Sequence, residues 1–200
     1  MKKTLITLFT AGMMGAVTAS AQTVAPEGIN YNYLEGNLAL YPSYGAGPGS
    51  QDYVGVRVRG AALVAPEVFL FGQLRYLTDD IDFTQAHFGA AYRYKILEDT
   101  DLYAGPAIEY MDLDLPGQFG GGSIDEVGFS VRGGIRHRLN EDFEFAGEIR
   151  HVFFGGDIDD NWIGITGTVQ YFLTQELGLI GEVDIEDGEL GLLGGLRYNF

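Results

Sequence analysis

The feature that most limits what this chain can become is a hydrophobic period of two, which runs from Tyr31 to the last residue. Two is the strand period, because successive side chains of an extended backbone point to opposite faces. Val54, Val56 and Val58 share one face, and Gly55, Arg57 and Arg59 share the other. Farther on, Val127, Phe129, Val131 and Ile135 stand opposite Glu126, Ser130, Arg132 and Arg136. About ten such segments fit, near 31–41, 53–64, 68–78, 83–95, 101–113, 125–138, 143–155, 162–172, 176–185 and 189–200. Each is about eleven residues, the length a tilted strand needs to cross a bilayer. Tight connections at 65–67, 97–100, 140–142 and 174–176 alternate with longer Gly- and Asp-rich ones at 44–51, 78–82, 115–123, 155–161 and 184–188. That is an up-and-down antiparallel meander with a turn end and a loop end.

The first 21 residues read as an export signal. Met1-Lys2-Lys3 is positive, Leu5 to Val17 is mostly apolar, and Ala19-Ser20-Ala21 supplies a small-residue cleavage site. The expected mature chain is one domain, 22–200. No later run reaches 18 apolar residues, so a helical span is excluded. The chain has no cysteine. Disulfide frameworks, zinc–cysteine sites and a lipidated N-terminal cysteine are therefore excluded. With 12 basic against 28 acidic side chains, it has no basic face for nucleic acid.

A soluble ligand-binding barrel and a membrane barrel share this alternation, and composition separates them. One face carries Leu38, Val56, Leu74, Ile108, Val127, Phe129, Ile149, Ile165, Val183 and Leu196 with almost no charge. Tyrosines cluster near strand ends, as an interfacial aromatic belt requires. The other face gathers Arg57, Arg59, Arg75, Arg93, Arg132, Arg136, Arg138, Arg150 and Arg197. Against these stand Glu35, Glu109, Glu126, Glu144, Glu148, Glu182 and Asp184. This near balance, in a chain with so much surplus acid, implies paired ions inside a barrel whose outside faces lipid. The expected interior network is Glu35, Arg57, Arg59, Arg75, Arg93, Glu109, Arg132, Arg136, Glu144, Glu148, Arg150, Glu182 and Arg197. Glycines on that face, Gly134 and Gly164 among them, leave room for the long side chains.

The exported start, the strand meander and the ending Leu196-Arg197-Tyr198-Asn199-Phe200 resemble the small outer-membrane β-barrels of Gram-negative bacteria, the OmpX-like proteins and OmpA membrane domain. The resemblance covers the whole mature chain and implies insertion among outer-membrane lipid and lipopolysaccharide. It also implies that Tyr198 and Phe200 form the signal read by the barrel-assembly machinery. Eight strands are usual in those relatives, whereas about ten are counted here.

The loop end is acidic, with Asp79, Asp80, Asp82, Asp112, Asp114, Asp157, Asp159, Asp160, Asp184, Glu186, Asp187 and Glu189. It reads as a solvated rim or as a place for divalent cations, for which Asp157, Asp159 and Asp160 are weak candidates. His87 should point inward, and His137 and His151 outward. They are what a rim hydrolase would have to use, and no serine is placed beside the outward pair. No catalytic residue and no cofactor is expected. The readings left open are a structural barrel with no open pore, a narrow channel, and more remotely that hydrolase.

Overall fold

The computed structural model describes residues 28–44, 51–79, 82–115, 122–155 and 161–200. The ten strands are β1 (Tyr33–Tyr44), β2 (Gln51–Ala65), β3 (Val68–Thr78), β4 (Asp82–Leu97), β5 (Thr100–Leu115), β6 (Gly122–Arg138), β7 (Phe143–Phe154), β8 (Asn161–Phe172), β9 (Leu177–Glu186) and β10 (Glu189–Asn199). Each pairs with its sequence neighbours, and β1 pairs with β10 to close the barrel. All pairings are antiparallel, with Glu35 opposite Arg197 at the closing seam. Closure removes the unpaired strand edges that a bilayer cannot satisfy. The count is ten, beyond the eight usual in the relatives.

The alternation places apolar side chains outward. Leu38, Ile108, Val127, Phe129 and Ile165 are all more than half exposed on the outer wall. Inward-pointing Glu35, Arg57, Arg75, Glu109, Arg132, Arg136, Glu144, Glu182 and Arg197 are buried. That is the inside-out pattern of a membrane barrel.

Two local features differ from the sequence expectation. The 184–188 connection is not a longer loop. β9 runs through Glu186, and Asp187 (φ 51°) and Gly188 (φ 87°) make a two-residue turn. Two consecutive positive φ values are what a type I′ hairpin turn demands, and an Asp-Gly pair supplies them. At the other end, residues 28–32 precede β1 and fold into the mouth of the barrel rather than extending it. Ile29 and Tyr31 are buried there against Phe69, Phe71, Ala61, Ala91 and Ala107. Asn32 ties the segment to the wall, its Oδ1 accepting from Leu63 N at 2.8 Å and its carbonyl from Phe200 N at 3.1 Å.

A second apolar cluster sits inside the loop end, built from Ala39, Tyr41, Tyr53, Leu77, Phe83 and Leu193. The interior therefore carries an apolar cluster toward each end, with most of the ionic groups between and the Arg93–Asp101 and Arg136–Glu144 pairs bordering the turn-end cluster. The alternation hid this layering, because these aromatic residues share the inward parity of the charged ones.

Candidate functional site: a charged lumen

Glu35 organises the first ionic cluster. It lies opposite Arg59 on β2 and Arg197 on β10. Arg59 Nη2 donates to it at 2.9 Å, Arg57 Nη2 at 3.1 Å, and Arg197 through Nε at 2.9 Å and Nη2 at 2.6 Å. Glu182 accepts from Arg59 at 3.0 Å, from Thr168 Oγ1 at 3.0 Å, and from Arg57. One carboxylate serving three guanidinium groups is sustainable only because a second carboxylate shares the load.

Register creates a conflict that the side chains resolve. Arg57 stands directly opposite Arg75, and Arg132 directly opposite Arg150. Like charges at opposed positions repel. In each pair the two guanidinium groups turn to different carboxylates. Arg75 reaches Glu186 on β9 at 2.6 Å and Asp184 at 3.4 Å. Its guanidinium also touches Tyr41 Oη and lies over the Tyr41 and Phe83 rings. Tyr41 Oη donates to Asp184 at 2.9 Å, joining the ionic layer to the apolar cluster at the loop end. Arg150 takes the other side of Asp184 at 3.0 Å and donates to Thr166 Oγ1 at 2.7 Å. A Cβ at Gly164 would lie 2.5 Å from the Arg150 Cζ, so glycine opens the space this arginine fills.

Arg132 forms the third cluster. Its Nη2 donates to Glu109 at 2.6 Å, and Ser130 Oγ donates to the same oxygen at 2.5 Å. Its Nη1 lies 3.0 Å from His87 Nε2 and 3.4 Å from Glu148. Tyr103 Oη completes Glu148 at 2.8 Å.

At the turn end the arginines hold the inserted segment. Arg136 pairs with Glu144 at 2.6 Å and donates to the Asn30 carbonyl at 2.8 Å. Arg93 donates to the Ile29 carbonyl at 3.2 Å and to Asp101 at 3.3 Å. Both guanidinium groups lie over the Tyr31 ring, Arg136 at 4.4 Å and Arg93 at 5.1 Å. Burial pushes the Tyr31 phenol well above its ordinary range, so it stays neutral and able to donate. Between the end clusters is a cavity of about 70 Å³.

The chain matches the outer membrane protein beta-barrel domain family over residues 9–170. It belongs to that family. The protein is thus a β-barrel of the bacterial outer membrane, its outer wall in lipid. In such barrels the short turns face the periplasm and the longer loops the exterior. None of the curated proteins matches the chain. Among solved structures it is similar to the NanC porin (12% identity, 84% of this chain and 100% of that one, TM-score 0.49). It is similar to the N-terminal β-barrel domain of Pseudomonas aeruginosa OprF (11% identity, 86% and 100%, TM-score 0.48). It is also similar to Neisserial surface protein A (14% identity, 84% and 95%, TM-score 0.41).

Within this outer-membrane barrel, several residues lie where the sequence reading did not put them. The acid run assigns Glu186 to the rim, and Asp184 too, although the parity of Asp184 also faces inward. Both are buried in the lumen on Arg75 and Arg150. The hairpin turn is confined to Asp187 and Gly188 instead of spanning 184–188. Asp101 was not singled out and is buried beside Arg93. Arg138 does not join the network. It caps a turn by donating to the Asn140 and Glu141 carbonyls and lies over Phe172.

His87 is buried in the lumen. His137 meets Thr100 Oγ1 at 2.9 Å, and His151 packs against Phe153 in a tilted pair, ring centroids 4.0 Å apart. The weak cation candidates Asp157, Asp159 and Asp160 lie outside the described residues. Of the other rim acids, Asp82 accepts from Thr78 at 2.7 Å and Asp112 from Tyr110 at 3.3 Å. Among the described residues no group of acids and histidines is placed to hold a metal ion. Tyr198 and Phe200 stack at 6.4 Å beside the barrel seam.

Proposed function

We propose that this outer-membrane barrel is a structural, surface-stabilising element with no open pore at rest. The observation that carries the reading is the lumen itself. Buried ion pairs cross it from β2 and β3 to β9, and an apolar cluster lies toward each end. A pathway for solute would need several of these groups to move together. Breaking one partner out of a buried pair costs several kcal/mol, so such openings are rare. The interior residues act as a cross-brace between strands that are distant around the barrel.

The outer wall supports membership in the lipid matrix as the working role, with lipopolysaccharide as the neighbour at the loop end. The Tyr198 and Phe200 pair supports the reading of the C-terminus as the assembly signal. A narrow channel is the second reading, favoured by the central cavity, which would be its widest point. Liposome swelling separates the two. Vesicles carrying the refolded protein should swell in small sugars or amino acids no faster than empty vesicles. Size-dependent swelling would favour the channel.

A further inference from the structure

We propose that residues 28–32 form a strap that seats only after β1 has paired with β10, and that then locks this seam against reopening. Such a strap serves a closed lumen and a conducting barrel alike, so it stands apart from the pore question.

The strap is anchored on strands that lie together only in a closed cylinder. It leaves β1 at Tyr33 and crosses the mouth to β6, five strands away in either direction around the wall. There Arg136 donates to the Asn30 carbonyl at 2.8 Å. Asn30 is three residues from Tyr33, so its carbonyl lies within about 10 Å of the start of β1. Along an uncurled sheet β6 stands five strand spacings from β1, about 24 Å. Only a curled wall brings Arg136 within reach of Asn30. On the way the strap meets Phe69 of β3, whose ring lies 4.4 Å from that of Tyr31, and Arg93 of β4, which donates to the Ile29 carbonyl at 3.2 Å.

Two bonds tie the strap to the seam itself. The ladder between β1 and β10 ends with Tyr33 opposite Asn199. Phe200 N donates to the Asn32 carbonyl at 3.1 Å and carries the pairing one residue farther. Asn30 Nδ2 reaches Phe200 O at 3.5 Å. On the other side of β1, Leu63 N of β2 donates to Asn32 Oδ1 at 2.8 Å. One asparagine thus holds the strands on both sides of β1. Asn32 N donates back to Asn30 Oδ1 at 2.8 Å, which fixes the bend between them. Ile29 and Tyr31 are almost wholly buried, so unseating the strap exposes them as well as breaking these bonds.

The β10 contacts cannot form while the seam is open, and the β6 contact cannot form before the wall has curled. The strap therefore raises the barrier to unfolding and leaves the barrier to folding unchanged, as interactions absent from the transition state do.

The test uses the full chain, expressed in cells and extracted from the outer membrane as the folded barrel, with heat-modifiable gel mobility reporting closure. Unfolding in urea and refolding on dilution are timed separately. Tyr31→Ala takes away the ring held by Arg93, Arg136 and Phe69, and Asn32→Ala takes away the bond to β2. Each should unfold about tenfold faster or more and refold within about twofold of wild type. Refolding slowed as much as unfolding is accelerated would put the strap in place before closure and overturn the proposal. Unchanged unfolding would mean that the strap locks nothing. An engineered thiol reads the seating directly in a chain with no cysteine of its own, even if those variants fail to fold. During refolding, the thiol of Ile29→Cys should stay reactive until the folded band appears and then become protected. Protection ahead of the folded band contradicts the order of events. Deleting Phe200 from the Ile29→Cys barrel should speed labelling of the folded form severalfold. An unchanged rate there would show that the strap is independent of the seam, against the lock.

Discussion

Arg75 on β3 donates to Glu186 on β9 at 2.6 Å, although three strands, β2, β1 and β10, lie between them around the wall. The bond spans the lumen rather than the sheet. It braces opposite sides of a cylinder that backbone hydrogen bonds join only edge to edge. Glu186→Leu removes the nearer carboxylate of Arg75 and leaves it Asp184, which Arg150 already shares. The expected loss is about 3–5 kcal/mol of unfolding free energy in urea. A double-mutant cycle with Arg75→Leu should return a large part of it, because the double variant buries no unpaired charge. Additive losses would place the stabilisation elsewhere.

The inserted residues 28–32 should control periplasmic access to the lumen. The chain has no cysteine, so a single engineered one reports cleanly. Ala146 lines the chamber, and Ala146→Cys should react slowly with a charged thiol reagent in the otherwise intact barrel. Adding Tyr31→Ala removes the ring held between Arg93 and Arg136 and should speed labelling at least tenfold. Equal rates would mean that the mouth is sealed by something other than Tyr31.

The outer wall gives a third expectation. Val56 and Phe129 point to lipid at half exposure or more. Val56→Arg or Phe129→Arg should cost about 2–4 kcal/mol in a bilayer if the position lies near mid-membrane. The same substitution at a solvated turn residue such as Glu141 should be nearly neutral. Refolding in lipid vesicles with a urea titration measures both.

The C-terminal pair gives a fourth. Tyr198 is exposed to lipid and Phe200 closes the chain next to Asn32. Deleting Phe200 should reduce the amount of barrel assembled in cells well below wild type. Refolding of the same purified variant into detergent should change little. Equal losses in both settings would make the residue a packing contact rather than a recognition signal.

The wall was legible in the sequence, because strand parity fixes which residues share a face and composition decides which face meets lipid. The charged core was mostly legible for the same reason. What parity cannot carry is the height of a residue along the lumen. Tyr41, Leu77, Phe83, Phe69 and Phe71 point inward like the arginines, yet they gather in apolar clusters toward the two ends. An acidic run looks like a loop and so puts Glu186 on the rim, while Asp187-Gly188 alone makes the turn. Tyr31 and Asn32 continue the strand pattern in sequence, and only tertiary contacts of this segment with Arg93 and Arg136 bend it into the mouth.

Single-channel recording of refolded residues 22–200 in a planar bilayer tests the closed lumen most directly. The expected result is insertion, verified by heat-modifiable gel mobility, with no discrete current steps at moderate voltage. Steps appearing in Glu186→Leu but not in wild type would fit a barrel held shut by its cross-lumen pairs. Steady steps in wild type, altered in size or selectivity by Arg132→Gln or Glu148→Gln, would contradict the closed barrel and make it a narrow pore.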